Sequence, residues 1–161
     1  MIRFNNDYSE ICHERILEKI SELKDGQFNG YGEDECCLEA ADIIKKLIGR
    51  PDADVHFLVG GTQTNLTVIT AALRPHQCAV CATTGHINVH ETGAVEATGH
   101  KVVGVPSDDG KIKAGDIREL YKKHWEDGSH EHIAQPKLVY ISDSTEIGTI
   151  YNKKELEDIY A

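Results

Sequence analysis

Apolar positions along the chain fall into two periodic regimes. From Ile16 to Ile48 they recur at helical spacing. Ile16, Ile20 and Leu23 share one stripe, and Leu38, Ala41, Ile44 and Ile48 share another. An irregular arm precedes the first of these helices and Gly26 is placed to end it. The loop FNGYGEDE leads into the second, which stops at Gly49-Arg50-Pro51. From Val55 onward, strand-length apolar runs alternate with helical patterns. The runs predict strands at Val55–Val59, Cys78–Ala82, Lys101–Val105 and Lys137–Ile141, with helices near Thr62–Leu73, Ile87–Thr98 and Ala114–Trp125. A last helix is expected from Asn152, which can cap it while Glu155 completes a capping box. Such alternation specifies an α/β fold: a mostly parallel sheet with helices on both faces. Residues 1–50 then form an N-terminal arm with its helices, and residues 51–161 the α/β portion.

The whole chain has 161 residues, enough for one domain with a core. Its net charge of −10 repels nucleic acid backbones and anionic membranes, so neither is an expected partner. No apolar run reaches membrane-spanning length, and the start of the chain lacks the basic-then-apolar order of a signal peptide. The five cysteines are odd in number, scattered and partly adjacent (Cys36-Cys37), which suits reduced thiols in a cytoplasm.

Between the Val55–Val59 run and the next helix stand Gly60-Gly61-Thr62. The first N–H groups of a helix lack partners and carry partial positive charge, and glycines let a ligand approach the backbone. The tripeptide therefore reads as a cradle for one phosphate monoester at the carboxyl end of a strand, with Thr62 capping the helix or donating its hydroxyl. It also suits a plain strand-to-helix turn capped by Thr62. Neither a P-loop nor a dinucleotide fingerprint is present. Thr83–His86 follow the next strand and belong on the same rim, where the His86 imidazole could stack on a flat ring or move protons. His90 and Glu91 fall about one helical turn beyond.

Three other features carry less. Cys78 and Cys81, with His76 before them, have the spacing of half a zinc site, but no second pair completes it, so no metal is expected. Cys78 and Cys81 instead suit a buried strand. The segment HWEDGSHEHIAQ reads as an exposed polar turn.

Four segments in register, NGYGEDE, GGTQTNL, GHINVHETGAVEATG and LVYISDSTEIGTIYNKKELEDIY, resemble the threonine aldolase and β-eliminating lyase family. The resemblance covers essentially the whole chain. It implies the N-terminal part of the large domain of a fold-type I pyridoxal-phosphate enzyme, so that residues 51–161 would be an incomplete cofactor-binding large domain. By that resemblance Gly60, Gly61 and Thr62 hold the phosphate of pyridoxal 5'-phosphate, and His86 stacks on the pyridine ring. His86 and Glu91 are the implied catalytic residues, Glu91 in a supporting role. Asn6, Asp7 and Tyr31 would fall near the substrate or a dimer interface. The implied reaction cleaves a β-hydroxy-α-amino acid, L-threonine or L-allo-threonine, to glycine and an aldehyde, in a homodimer or homotetramer.

Two departures qualify it. Ser142-Asp143-Ser144-Thr145-Glu146 stands where many aldolases carry a histidine beside the substrate, leaving Thr145 or Glu146 to take that place. The family's Schiff-base lysine and pyridine-pairing aspartate are expected beyond Ala161, so this stretch alone should not turn over substrate and should leave apolar groups exposed. A β-elimination on the same fold, or a phosphate-binding α/β module without chemistry, remain the alternative readings.

Overall fold

A computed structural model describes residue 6 and residues 8–161. The described chain divides into two compact units, Met1–Phe57 and Leu58–Ala161.

The first unit contains α1 (Glu14–Leu23) and α2 (Glu35–Leu47). Helix α1 starts where His13 Nδ1 accepts the Arg15 N–H. Helix α2 starts where the Asp34 carboxylate accepts the Cys37 N–H at 2.9 Å; hydrogen bonding to the Cys37 side chain, and then to this N–H, lowers the Asp34 pKa. Gly49 ends the turn after α2 with φ 66°, a left-handed conformation that suits a residue without Cβ. Both helices follow the expected apolar stripes, but neither buries a residue: Ile20 is 58% and Leu47 80% exposed.

The second unit holds α3 (Gly61–Ala72), β1 (Gln77–Ala82), α4 (His86–Val89), β2 (Lys101–Val105), α5 (Ala114–Glu126), β3 (Gln135–Val139) and α6 (Lys153–Tyr160). Its three strands are parallel in the order β2-β1-β3. Central β1 is buried along its whole length, and its alternating side chains feed two cores. Ala79 and Cys81 pack on one face with Ile69 and Leu73 of α3, Ile87, Val95 and Val102. Cys78 and Val80 pack on the other with Ile112, and with Ile117 and Leu120 of α5 and Ile159 of α6 around them. Each fully buried aliphatic side chain in such a core contributes about 1.5–3 kcal/mol of transfer free energy. The sheet is thus covered on both faces, as the alternating pattern requires. The chain runs outward from β1 to β2 and then crosses back over β1 to β3, so strand order reverses at β1. Ligands of open α/β sheets bind outside the carboxyl ends of strands at such a reversal.

Three expectations are corrected. Val55–Val59 is not a strand: it pairs with none of the strands among the described residues, although β2 and β3 have open edges, and Val59 is 94% exposed. Ile87–Thr98 is not one helix. It is the single turn α4, then Thr92 and Gly93 with φ 54° and 72°, then a 3-10 turn at Glu96–Thr98. Left-handed residues cannot continue a right-handed ladder. Strand β3 begins two residues earlier than Lys137, and its register with β1 shifts between Cys78 and Ala79. The Asn152 capping box forms as expected, with Asn152 Oδ1 accepting the Glu155 N–H at 3.0 Å and Glu155 Oε2 accepting the Asn152 N–H at 2.7 Å.

Candidate active site

The site is built at the carboxyl end of β1, where the chain turns sharply at Gly85. The Gly85 N–H donates to the Ala82 carbonyl at 2.8 Å. A Cβ on Gly85 would stand 3.0 Å from both that carbonyl oxygen and the Cβ of buried Cys81, tighter than nearly all real Cβ contacts, so a neighbour would have to give by a few tenths of an ångström. Glycine lets the turn lie this near the strand without displacing a neighbour, and the turn delivers His86 to the first position of α4. The left-handed Thr92-Gly93 pair then turns the chain back. Glu91 is therefore brought against His86 rather than carried along a helix face: His86 Nδ1 lies 2.8 Å from Glu91 Oε1.

The Glu91 side chain is fully buried, whereas that of His86 is 44% exposed. Glu91 Oε1 also accepts a 2.6 Å hydrogen bond from the Asn65 side-chain amide, which stands on α3. Oε2 of Glu91 is buried without a partner among the described residues, as is the Thr84 hydroxyl seven residues earlier in the chain. A buried carboxylate with two charge-assisted or polar donors on one oxygen is held firmly; removal of either donor would leave it under-satisfied.

Helix α3 begins without a side-chain cap. Gly60 is the N-cap residue, with φ −176° and ψ 168°, and Thr62 lies inside the first turn, so the expectation that Thr62 caps the helix is corrected. Thr64 supplies the local closure, its N–H and hydroxyl both donating to the Gly60 carbonyl at 3.0 Å. A Cβ at Gly60 or Gly61 would meet nothing within 4 Å, so the space before the first turn is open. No strand leads into this turn, and the cradle rests on the helix N-terminus alone. The Asn65–Glu91–His86 chain joins α3, at a residue about one turn past Gly61, to the turn after β1.

Beyond β3, Tyr140, Ser142 and Glu146 add a second polar set. The Tyr140 N–H donates to the Val80 carbonyl at 2.8 Å. The Ser142 hydroxyl lies 3.3 Å from the Tyr140 phenol and donates to Glu146 Oε1 at 2.6 Å. Burial raises the Tyr140 pKa; hydrogen bonds from Ser142 and Asn65 oppose it, and the charges of Glu91 and Glu146 add to it. Thr145 is turned inward, 5% exposed, with its hydroxyl against that of Thr149 at 2.7 Å. Of the two candidates for the histidine position, Thr145 is buried and Glu146 is partly exposed.

Asn6 and Tyr31 belong to the first unit. Asn6 Oδ1 accepts from the Tyr8 N–H and the Ser9 hydroxyl, closing a local turn, and Tyr31 is fully exposed with φ 64°. Asp7 lies outside the described residues. Among the described residues no group of three or more His, Cys, Asp or Glu side chains could hold a metal. Cys78 and Cys81 are buried in β1, and burial pushes the Cys81 thiol up to about 11. His124 is 7% exposed and packs edge-on against Trp125 and His130, so that part of the polar turn is interior, contrary to expectation. Lys111 is held in an ion pair, its Nζ 2.6 Å from Glu155 Oε1. Asn65, Tyr140 and Ser142 were not singled out by sequence. Asn65 lies 26 residues from its carboxylate partner, a separation no local pattern reveals.

A profile of the beta-eliminating lyase family matches residues 8–161. The chain belongs to the beta-eliminating lyase family. Within it, a low specificity L-threonine aldolase from a Pseudomonas species is 31% identical over 161 residues, spanning 98% of this chain and 44% of that protein. Another, from Pseudomonas aeruginosa, is 29% identical over 159 residues with the same coverage. The solved threonine aldolase from Leishmania major superposes with a TM-score of 0.90 at 51% identity, over 96% of this chain and 44% of that one. The chain thus spans less than half the length of the lyase-family proteins it matches, and its sheet and helices correspond to the N-terminal part of a threonine aldolase large domain.

Proposed function

We propose that the protein is a pyridoxal-phosphate-dependent lyase of the threonine aldolase type. It would cleave a β-hydroxy-α-amino acid, L-threonine or L-allo-threonine, to glycine and an aldehyde. The observation that carries this reading is the Asn65–Glu91–His86 chain, which ties an uncapped, glycine-opened helix N-terminus to a half-exposed imidazole. The donor set fits the cofactor. An anion suits the open N–H groups of Gly61 and Thr62, a flat ring suits His86, and the glycines leave room for both.

When bound, pyridoxal phosphate supplies the electron sink for chemistry at the substrate Cα. The residues of this stretch supply the following parts, the Schiff-base lysine and pyridine-pairing aspartate being expected beyond Ala161. The first turn of α3 binds the phosphate, with Gly60 shaping the approach. Glu91 Oε1 holds His86 through Nδ1, fixing the imidazole plane against the ring. The Glu146 carboxylate, oriented by the Ser142 hydroxyl, accepts the proton of the substrate β-hydroxyl. Asn6, Asp7 and Tyr31 remain proposed contacts to substrate or to a second subunit of a homodimer or homotetramer. An acidic protein carrying five free thiols is consistent with a cytoplasmic location.

The test is product analysis on the full-length protein with L-threonine and L-allo-threonine, with and without added pyridoxal phosphate. Cofactor-dependent release of glycine and acetaldehyde is expected. Release of a 2-oxo acid and ammonia instead would place the enzyme among the β-eliminating members, and no cofactor dependence would overturn the reading.

A further inference from the structure

Asn65 has no role in the reading above beyond joining two parts of the site, yet its placement is specific. It stands on α3 little more than one turn from Gly61, and its amide reaches a carboxylate 26 residues away at 2.6 Å. That carboxylate is fully buried, and its other oxygen has no partner among the described residues. Glu91 therefore has two polar anchors, the Asn65 amide and the His86 imidazole, and both converge on Oε1. A carboxylate so held can rotate only if Asn65 releases it. The imidazole, 44% exposed, has no other hydrogen-bond partner among the described residues to fix its plane, and the His90 ring lies 5.5 Å away between centroids, tilted by 51°.

We propose that Asn65 is a positioning residue that sets the His86 ring plane through Glu91. Helix α3 would then govern both ends of the bound group, its N-terminus taking the anion and Asn65 orienting the imidazole. Tyr140, partly buried just past the end of β3, lies close enough for the Asn65 side chain to hydrogen-bond its phenol. An asparagine suits the task because its amide donates without carrying charge, so Glu91 stays free to attract the Nδ1 proton of His86.

The cofactor half of this inference rests on the pyridoxal phosphate reading; the imidazole half does not, and the experiment separates them. In the full-length protein without cofactor, nitrogen NMR of His86 reports its Nδ1 hydrogen bond directly. Asn65→Ala is expected to move the His86 Nδ1 resonance in the direction that Glu91→Gln moves it. In the Glu91→Gln background, Asn65→Ala should add nothing, because the path through Glu91 is already cut. With pyridoxal phosphate added, Asn65→Ala should weaken binding by about tenfold, the loss of one charge-assisted hydrogen bond's orienting effect. It should also change the circular dichroism of the bound chromophore, which a general loss of stability would not do. An unchanged His86 resonance in Asn65→Ala, or equal effects of that substitution with and without Glu91, would overturn the proposal. Should Asn65→Ala fail to fold, Asn65→Asp keeps the shape, exchanges the donor for a second carboxylate, and must displace the resonance further. If the wild-type protein binds no pyridoxal phosphate, the functional reading fails while the His86 measurement still decides the role of Asn65.

Discussion

Cys81 and Gly85 meet at the tightest point of the site, and each yields a measurable consequence. Burial pushes the Cys81 thiol up to about 11 and raises that of Cys78, so neither is a nucleophile near neutral pH. Cys12 and Cys36 are exposed. A thiol reagent applied to the folded protein should therefore label Cys12 and Cys36 and spare Cys78 and Cys81 until denaturant is added, as peptide mass mapping will show. At Gly85, the atoms an added Cβ would strike include a backbone carbonyl, which cannot swing away. Gly85→Ala should destabilise the full-length protein by about 1–3 kcal/mol in urea unfolding, the range for overpacking a filled interior. It should also weaken any ligand held at His86. At this scale the sequence was most informative about residue types with a fixed chemical meaning. Gly60-Gly61-Thr62, His86 and Glu91 stood out because glycines before a helix and an imidazole after a strand restrict the chemistry they serve. Asn65 did not, because an asparagine on a helix has many ordinary roles and its partner is distant in sequence.

Elements were legible where one local rule dominated. The Asn152–Glu155 capping box is a property of four consecutive residues, and it fixed the start of α6 correctly. The β1 and β2 runs were found because their interiors are continuously apolar; β1 is buried along its whole length and β2 for the most part only partly. Val55–Val59 misled for the converse reason: apolar, strand-length sequence says nothing about whether a neighbour exists to pair with it. The helix expected over Ile87–Thr98 misled because the apolar spacing persists through Thr92-Gly93, while the backbone there adopts left-handed angles that periodicity cannot register. Within α4, Ile87 is 1% exposed in the core cluster. Ile87→Ala should cost about 2–5 kcal/mol by urea unfolding of the full-length protein. A second consequence concerns α6. The Lys111 ammonium, and then the Asn152 N–H, hold the Glu155 carboxyl below its ordinary value of 4.5. A depressed carboxyl contributes stability that is present above its unfolded value and lost as pH falls through the folded one. The melting temperature of Glu155→Gln should thus lie below wild type at pH 7, with the gap closing only as the pH drops below about 4.5.

At the scale of the molecule, the sheet reversal at β1 and the rim that carries His86, Glu91, Tyr140 and Glu146 coincide. That coincidence is where open α/β sheets bind their ligands. Family membership then says what kind of ligand suits it, and the uncapped start of α3 says where its anionic end would go. The parallel α/β architecture was legible from the alternation of apolar runs, because that pattern reflects burial on both sheet faces. The joining of α3 to the turn after β1 was not, since it depends on one hydrogen bond across 26 residues. The most direct test of the account is a crystal structure of the full-length protein with pyridoxal phosphate bound. The account predicts the phosphate on the N–H groups of Gly61 and Thr62, with the pyridine ring against a His86 whose Nδ1 remains on Glu91. A cofactor found elsewhere, or a His86 turned away from the ring, would contradict it.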